Sequence, residues 1–139
     1  MRIAVVLGAV SAAFACGCTG YTPGSFASFP GQRTTIGCLD VAVQRRADLA
    51  DHAAVLAYHF GNRCRAPAVV DLAHVRVVDD HGRALAPYDP RAELVPLTLD
   101  GRLTGREAIA YPSTGEPIAY VCVDVASLAR TAPEQWLCL

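Results

Sequence analysis

The sequence has 139 residues, of which 53% are hydrophobic, so it has room for one folded domain with a sizeable core and is not a disordered tail. Its 12 basic residues, all of them arginine, balance 13 acidic residues, for a formal net charge of −1. The whole chain therefore has no electrostatic footprint for nucleic acid or for an anionic membrane surface, and no nucleic-acid partner is predicted.

The first 17 residues have the pattern of an export signal. One arginine precedes an uncharged apolar run that continues through Phe14, and small residues follow it. The run is too short to span a bilayer stably. The alternative interpretation is a buried first strand, which the absence of alternating polar residues disfavours. We predict a signal peptide over residues 1–17 and an exported mature protein.

Residues 14–18, Phe-Ala-Cys-Gly-Cys, resemble the lipobox of bacterial lipoproteins, in which a small residue precedes a cysteine that receives lipid on its thiol. Cysteine parity favours Cys18 over Cys16 as the acceptor, because cleavage before Cys18 leaves an even number to pair in an oxidising compartment. Ordinary cleavage after Ala15, which also leaves an even number, would instead give a soluble secreted protein.

Residues 18–34 are rich in Gly, Pro, Ser and Thr and lack periodicity, so they predict a flexible tether with a reach of roughly 20 Å. Residues 35–139 then form the folded domain. Alternating apolar and polar positions predict short strands in that domain. They fall at 36–44, 54–60, 84–85, 94–99, 107–111 and 118–125, and residues 68–72 and 74–78 form either one kinked strand or two short ones.

Several local signals connect these strands. The short loop after residue 44 predicts a hairpin between the first two strands, with a helix over 46–56 as the competing interpretation. Gly82 is placed to take a positive φ in the turn after Asp80. Pro96 predicts a sheet-edge position, and Pro133 favours the first turn of a short helix over 133–136.

About seven short strands, with turn signals every eight to twelve residues, predict an all-β fold, an antiparallel β-sandwich of immunoglobulin-like type. An aromatic-bearing strand leads into Gly61 and Asn62, followed by a valine-rich strand and then by Asp80-His81-Gly82. This progression resembles the small immunoglobulin-like accessory domains of bacterial envelope lipoproteins. The resemblance covers about 70 residues and implies a fold, which by itself fixes no function.

Four cysteines in the exported domain predict two disulfides that staple the sandwich. Four cysteines allow three pairings. The hairpin register brings Cys38 beside Cys64, which leaves Cys122 to pair with Cys138. The alternative pairing of Cys38 with Cys122 would link the first and last strands.

No metal site or cofactor is predicted. His52 and His59 are seven residues apart, as are His74 and His81, and an odd step sends strand side chains to opposite faces. The chain has no C-x-x-C pair. A calcium cage of Asp79 and Asp80 with Asp71 or Asp89 is a weaker interpretation than turn carboxylates that face solvent.

No catalytic residue is predicted either. The chain lacks G-x-S-x-G, and Ser127 has an ordinary context. Glu93 and Glu107 cannot be placed opposite one another from sequence, as a glycosidase pair would require. Asp40 and Asp124 recur in Cys-Leu-Asp-Val and Cys-Val-Asp-Val, and we expect both to be solvent-facing strand positions.

The sequence thus predicts a non-catalytic lipoprotein of the bacterial envelope, anchored to a membrane by lipid and carrying a binding or structural accessory domain. Its partner, an envelope protein or ligand, is expected to meet either the edge of a sheet or the loop of Pro87, Tyr88, Asp89 and Pro90. The alternatives are a soluble secreted inhibitor or ligand-binding protein, and a metal-binding or enzymatic protein of unrecognised type.

Overall fold

A computed structural model describes residues 20–46, 53–131 and 133–139 of the chain. The predicted signal peptide, both candidate lipid acceptors Cys16 and Cys18, and His52 lie outside the described residues. The fold is all-β, built from antiparallel sheets in a sandwich-like arrangement, as the alternating pattern predicted. Neither of the helices in the described part of the chain has the length and apolar character needed to cross a membrane.

The larger of the two main layers is a four-stranded sheet in the order β1-β2-β3-β8. Its strands are β1 Gln32–Ile36, β2 Leu39–Arg46, β3 Ala53–Asn62 and β8 Thr104–Pro112. The predicted hairpin is confirmed, because β2 pairs with β3 and Val43 lies opposite Tyr58. The competing helix over 46–56 is wrong for its described C-terminal part, since β3 begins at residue 53. Here period-two burial against the core outweighs the helix propensity of the alanines.

The second layer is a four-stranded sheet in the order β10-β9-β5-β6. Two short strands, β4 and β7, form a separate pair, and β7 is only the last part of the predicted strand 94–99. The turn before β6 has Gly82 at φ 74°, as predicted. The bounds are β4 Ala68–Val70, β5 Arg76–Asp79, β6 Ala84–Leu85, β7 Leu97–Leu99, β9 Val121–Asp124 and β10 Trp136–Cys138.

One apolar cluster joins side chains from all three sheets. Its largest members are fully buried aromatic residues, and the Tyr58 hydroxyl is hydrogen-bonded to the Tyr111 hydroxyl at 2.8 Å. Burial raises the pKa of both hydroxyls, that of Tyr111 to about 12. The pair therefore stays neutral and lets two tyrosines pack where unpartnered hydroxyls would be costly.

Both predicted disulfides are confirmed. Cys38–Cys64 closes the end of the β2–β3 hairpin, where Leu39 lies opposite Asn62, and its Cα atoms are 5.4 Å apart. Cys122–Cys138 joins directly opposed residues of β9 and β10. The alternative link from Cys38 to Cys122 is thereby excluded.

The C-terminal region differs from the prediction. The predicted helix over 133–136 is absent from its described residues, and β10 begins at Trp136 instead. The short helix α1 is Val125–Leu128, where Asp124 accepts a hydrogen bond from the Ala126 N–H as its N-cap. A helix starts after Asp124 rather than at Pro133 because the buried Asp124 carboxylate supplies an acceptor for an otherwise unpaired N–H.

Residues 20–34 also differ from the flexible tether that their composition predicted. A 3₁₀-helix covers Pro23–Ser28, and β1 adds to the edge of β2 from Gln32 onward. Tyr21 is 5% exposed and packs on the outer face of the larger sheet. Composition signalled a loop correctly, but it carried no information about a loop that packs on its own domain.

Candidate binding site

The loop predicted as a contact surface is a compact turn beside β8. The Asp89 carboxylate accepts hydrogen bonds from the N–H groups of Glu93 and Leu94, at 2.8 and 2.9 Å. Ala92 takes the left-handed conformation, with φ 52°. These contacts hold the loop closed and leave the Tyr88 side chain 66% exposed.

The loop is attached to the sheet by one backbone hydrogen bond, from the Tyr88 N–H to the Ala110 carbonyl, at 2.8 Å. The Ala110 carbonyl binds a residue outside the sheet, so it lies on the side of the edge strand β8 that faces away from β3. The backbone groups of every second residue in a strand share a side, so those of Ala108 and Arg106 face the same way. Within the described residues, no other strand pairs with this side of β8.

A cleft of about 730 Å³ lies between the free side of β8 and the loop. Tyr88 and Val95, which is 61% exposed, are the prominent apolar residues at its rim. Tyr88, Asp89 and Pro90 also border an adjoining pocket of about 420 Å³, where Pro87 joins them. The two routes that the sequence suggested, loop contact and edge pairing, therefore meet at one place.

The cleft is acidic. Three carboxylates line it, those of Asp89, Glu93 and Glu107, against one guanidinium, that of Arg91. Arg91 lies 3.9 Å from Glu93, which offsets part of the charge. Sequence reasoning did not place Glu93 and Glu107 together, and the structure brings both to the cleft. Sequence reasoning also missed the exposed stretch after Pro90. An apolar residue, Val95, next to Pro96 was the pattern that could have indicated it.

Among the described residues outside the cleft, four aspartates are almost fully buried, none more than 3% exposed. Each one pairs with an arginine whose side chain remains 37–57% exposed. Such pairs stabilise only when the carboxylate is fully hydrogen-bonded, and here each carboxylate accepts further hydrogen bonds. The pairs are Asp40–Arg63, Asp71–Arg130, Asp79–Arg83 and Asp124–Arg76.

The prediction that Asp40 and Asp124 face solvent is wrong, since both are 0% exposed. Asp40 accepts hydrogen bonds from the Tyr21 hydroxyl and, at 2.6 Å, from the Thr35 hydroxyl. Asp124 caps α1 and also accepts the Gln135 N–H at 2.9 Å. Strand alternation placed them opposite the core correctly, but other parts of the chain cover that face.

The electrostatics of these pairs are structural. Burial by itself would raise the pKa of the Asp71 carboxyl, but hydrogen bonds from Arg130 and His74 hold that pKa below its usual value. For Asp79, burial is likewise outweighed, and the backbone and guanidinium N–H groups of Arg83 hold its pKa below the usual value. The Asp71 and Asp79 carboxylates are thus charged, and each one holds a loop or turn in place.

The turn at the end of β5 contains two of the aspartates that the sequence suggested as candidate metal ligands. Ligand atoms of Asp79, Asp80 and His81 lie within 4.8 Å of one another, and among the described residues Asp71 and Asp89 are not part of this group. Asp79 is occupied by Arg83 and by turn N–H groups. The arrangement is that of a closed turn, and we derive no metal chemistry from it.

The other candidate residues have structural partners. The Ser127 hydroxyl donates to the Asp124 carbonyl and accepts the Arg76 N–H, so it is used within the fold. The His59 ring packs on Phe29 at 5.1 Å between ring centres, and burial lowers the pKa of His59. His74 contacts Asp71.

The fold and the two disulfides define a class, namely an all-β, sandwich-like domain of an oxidising, extracytoplasmic compartment. No known protein family and no curated protein matches the sequence. The fold is similar to the crystal structure of the yjhA protein from Bacillus subtilis, with a TM-score of 0.51 and 7% identity. The match covers 76% of this chain and 94% of that one. At this identity the likeness extends to the fold alone.

Proposed function

We propose that this protein is a non-catalytic binding domain of the bacterial cell envelope, attached to a membrane by lipid on Cys18. It receives an extended polypeptide segment of a partner protein in the cleft beside β8. The attachment is supported by the lipobox resemblance of residues 14–18, and the export that it requires agrees with the two disulfides.

The observation that carries the binding role is the free backbone of β8 facing the cleft. An added strand would pair with the outward N–H and carbonyl groups of Ala108 and Arg106, which an edge strand otherwise exposes to water. Tyr88 and Val95 would contact alternate side chains of that segment. The surplus of carboxylates in the cleft favours a segment with basic residues.

The test uses one substitution at the edge and one conservative control. Proline at position 108 removes an N–H that points away from β3, so Ala108→Pro blocks an added strand while the β3–β8 ladder remains. Ala108→Val keeps that N–H and is the matched control. A photoactivatable benzophenone amino acid replaces Tyr88 in intact cells, with the exposed Tyr120 as the control position.

We expect a cross-linked partner from position 88 and none from position 120. Ala108→Pro should remove the adduct, and Ala108→Val should keep it. Equal cross-linking from both positions, or an adduct that survives Ala108→Pro, would contradict strand addition at this cleft.

The anchor is tested separately by palmitate labelling of cells. Cys18→Ala should abolish the label and Cys16→Ala should keep it. An unlabelled protein that stays in the aqueous phase on detergent partitioning would instead indicate the soluble secreted alternative.

A further inference from the structure

The segment that follows Cys18 is fastened to the domain by Tyr21. The Tyr21 ring lies over Gly61, where a Cβ atom would be only 2.2 Å from the ring carbon Cζ. The Tyr21 hydroxyl donates to the fully buried Asp40 carboxylate, and the backbone N–H of Tyr21 donates to the Arg102 carbonyl. A glycine-floored site with a buried acceptor therefore holds one end of this segment.

Contacts continue along residues 20–29. Phe29 packs against both Tyr21 and His59, with ring centres 5.8 and 5.1 Å apart. The Arg33 guanidinium donates to the Ala27 and Phe29 carbonyls, at 2.8 and 3.1 Å. The segment behaves as a strap across the outer face of the larger sheet, and its position relative to that sheet is fixed.

The strap begins at a distinctive end of the domain. Arg65 and Arg102 lie on adjacent loops there, joined by the hydrogen bond from the Arg102 N–H to the Cys64 carbonyl. Both arginines are exposed, and neither has an ion-pair partner among the described residues. Leu103, 48% exposed, follows directly, and Asp100 is the exposed carboxylate nearby in sequence.

We propose that this end, formed by Arg65, Arg102 and Leu103, rests on an anionic phospholipid surface and fixes the orientation of the anchored domain. The inference rests on the proposed lipid attachment at Cys18. Cys18 precedes Tyr21 by three residues, which span at most about 11 Å when fully extended. The strap thus shortens the reach of roughly 20 Å expected for a free tether and brings this end to the headgroups.

The two exposed arginines then favour contact of this end with anionic lipid. An arginine at an anionic membrane surface favours the bound orientation about fivefold, so Arg65 and Arg102 together favour it about 30-fold. The Leu103 side chain adds apolar contact at the interface. The formal net charge of −1 already includes Arg65 and Arg102, so the rest of the chain is net negative and is not attracted to the same surface.

The orientation also presents the proposed binding site. Ala110, where the loop meets β8, lies six residues along the strand from Thr104, or about 20 Å. With the Leu103 end on the bilayer, the cleft is lifted toward the compartment and remains open to a partner. The short attachment therefore keeps the cleft from facing the lipid.

The test measures the depth of a tryptophan at each end. The chain from residue 18 onward is coupled through the Cys18 thiol to a maleimide phospholipid in vesicles, so that attachment does not depend on lipidation in cells. Leu103→Trp in a Trp136→Phe background reports on the proposed membrane end, and Val95→Trp in the same background reports on the cleft. Both native residues are exposed. Quenching by brominated lipid is compared in vesicles with and without phosphatidylglycerol.

We expect strong quenching of the tryptophan at 103 and weak quenching at 95 when phosphatidylglycerol is present. Arg65→Gln with Arg102→Gln should lower the odds of this orientation about 30-fold and bring quenching at 103 down to that seen in phosphatidylcholine alone. Arg91→Gln, which removes one positive charge near the cleft, should leave quenching at 103 unchanged. Tyr21→Ala should also reduce quenching at 103, since it releases the strap.

Equal quenching at positions 103 and 95, or quenching at 103 that does not depend on phosphatidylglycerol, would overturn the orientation while leaving lipid attachment intact. If the native protein takes up no palmitate label in cells, the attachment is contradicted instead. Because the vesicle experiment supplies its own anchor, the two failures are distinguishable.

Discussion

Substitution of Gly61 by alanine gives the sharpest test of the docked strap. In an ordinary β-strand, alanine stabilises relative to glycine by about 0.5–1 kcal/mol because the unfolded chain loses less freedom. Here the added Cβ would lie 2.2 Å from Cζ of Tyr21, well inside van der Waals contact. The ring must therefore leave its place, and we predict that Gly61→Ala destabilises the domain.

The expected magnitude follows from what Tyr21 loses. Burial of an aromatic side chain contributes about 1.5–3 kcal/mol, and a hydrogen bond to a charged group about 1.5–3 kcal/mol. Asp40 keeps the Thr35 hydroxyl and Arg63 as partners, which limits the second loss. After the strand preference is subtracted, the free energy of unfolding should fall by about 2–3 kcal/mol.

Urea unfolding followed by circular dichroism measures this change, and Gly105→Ala is the matched control. Gly105 is also a strand glycine, but its Cβ would meet only Leu99 and Phe60 at 3.6 and 3.8 Å, which is ordinary contact. We expect that control to be neutral or stabilising. In a Tyr21→Ala background the cost of Gly61→Ala should vanish. A cost that persists there, or none in the native background, would refute the reasoning.

Three further predictions concern the buried charges and the disulfides. The folded-state pKa of Asp71 is depressed, so its contribution to the free energy of unfolding is present above the unfolded-state pKa of about 3.9 and is lost as the pH falls through the folded-state pKa. Asp71→Asn should therefore flatten the acid side of a plot of the urea midpoint against pH. Replacing Cys38 and Cys64 together by alanine should cost about 3.5 kcal/mol of unfolding free energy, for a sequence separation of 26 residues. Asp124→Ala removes the acceptor of the Ala126 and Gln135 N–H groups, and with it the cap of α1, and should cost about 2–4 kcal/mol by thermal unfolding.

Each of these has its own control. For the pH profile, Asp89→Asn changes a carboxyl in an exposed loop, and an identical acid limb in both variants would contradict the role given to Asp71. The cysteine variant is compared with the native protein under reducing conditions, where the difference should disappear. Asp124→Asn keeps an N-cap acceptor and should recover part of the stability that Asp124→Ala loses.

The hairpin, the turn at Gly82 and both disulfide pairings could be predicted because each rests on a local rule. Period-two alternation selects the buried face, and the short loop fixes which strands are neighbours. Once Val43 lies opposite Tyr58, the position of Cys38 beside Cys64 follows from the register. The helix over 133–136 was a wrong prediction because a proline permits a helix start without supplying a reason for one.

The candidate site was only half accessible to sequence reasoning. The rigid loop was predictable from the residue types of Pro87, Tyr88 and Asp89. Nothing local to them showed that the Tyr88 N–H would reach Ala110, 22 residues later, or that the cleft between them would be acidic. Such contacts depend on how two sheets pack, which a residue pattern does not encode by itself.

The sequence alone determined the all-β class and the stapled hairpin, because strand period and turn chemistry act over a few residues. Only the tertiary structure decided that residues 20–29 form a strap, that Asp40 is buried, and that the loop and the free side of β8 share one cleft. The physical reason is long-range packing. The Tyr21 ring needs a floor at Gly61 and an acceptor at Asp40, and the fold alone brings those two residues to the same place.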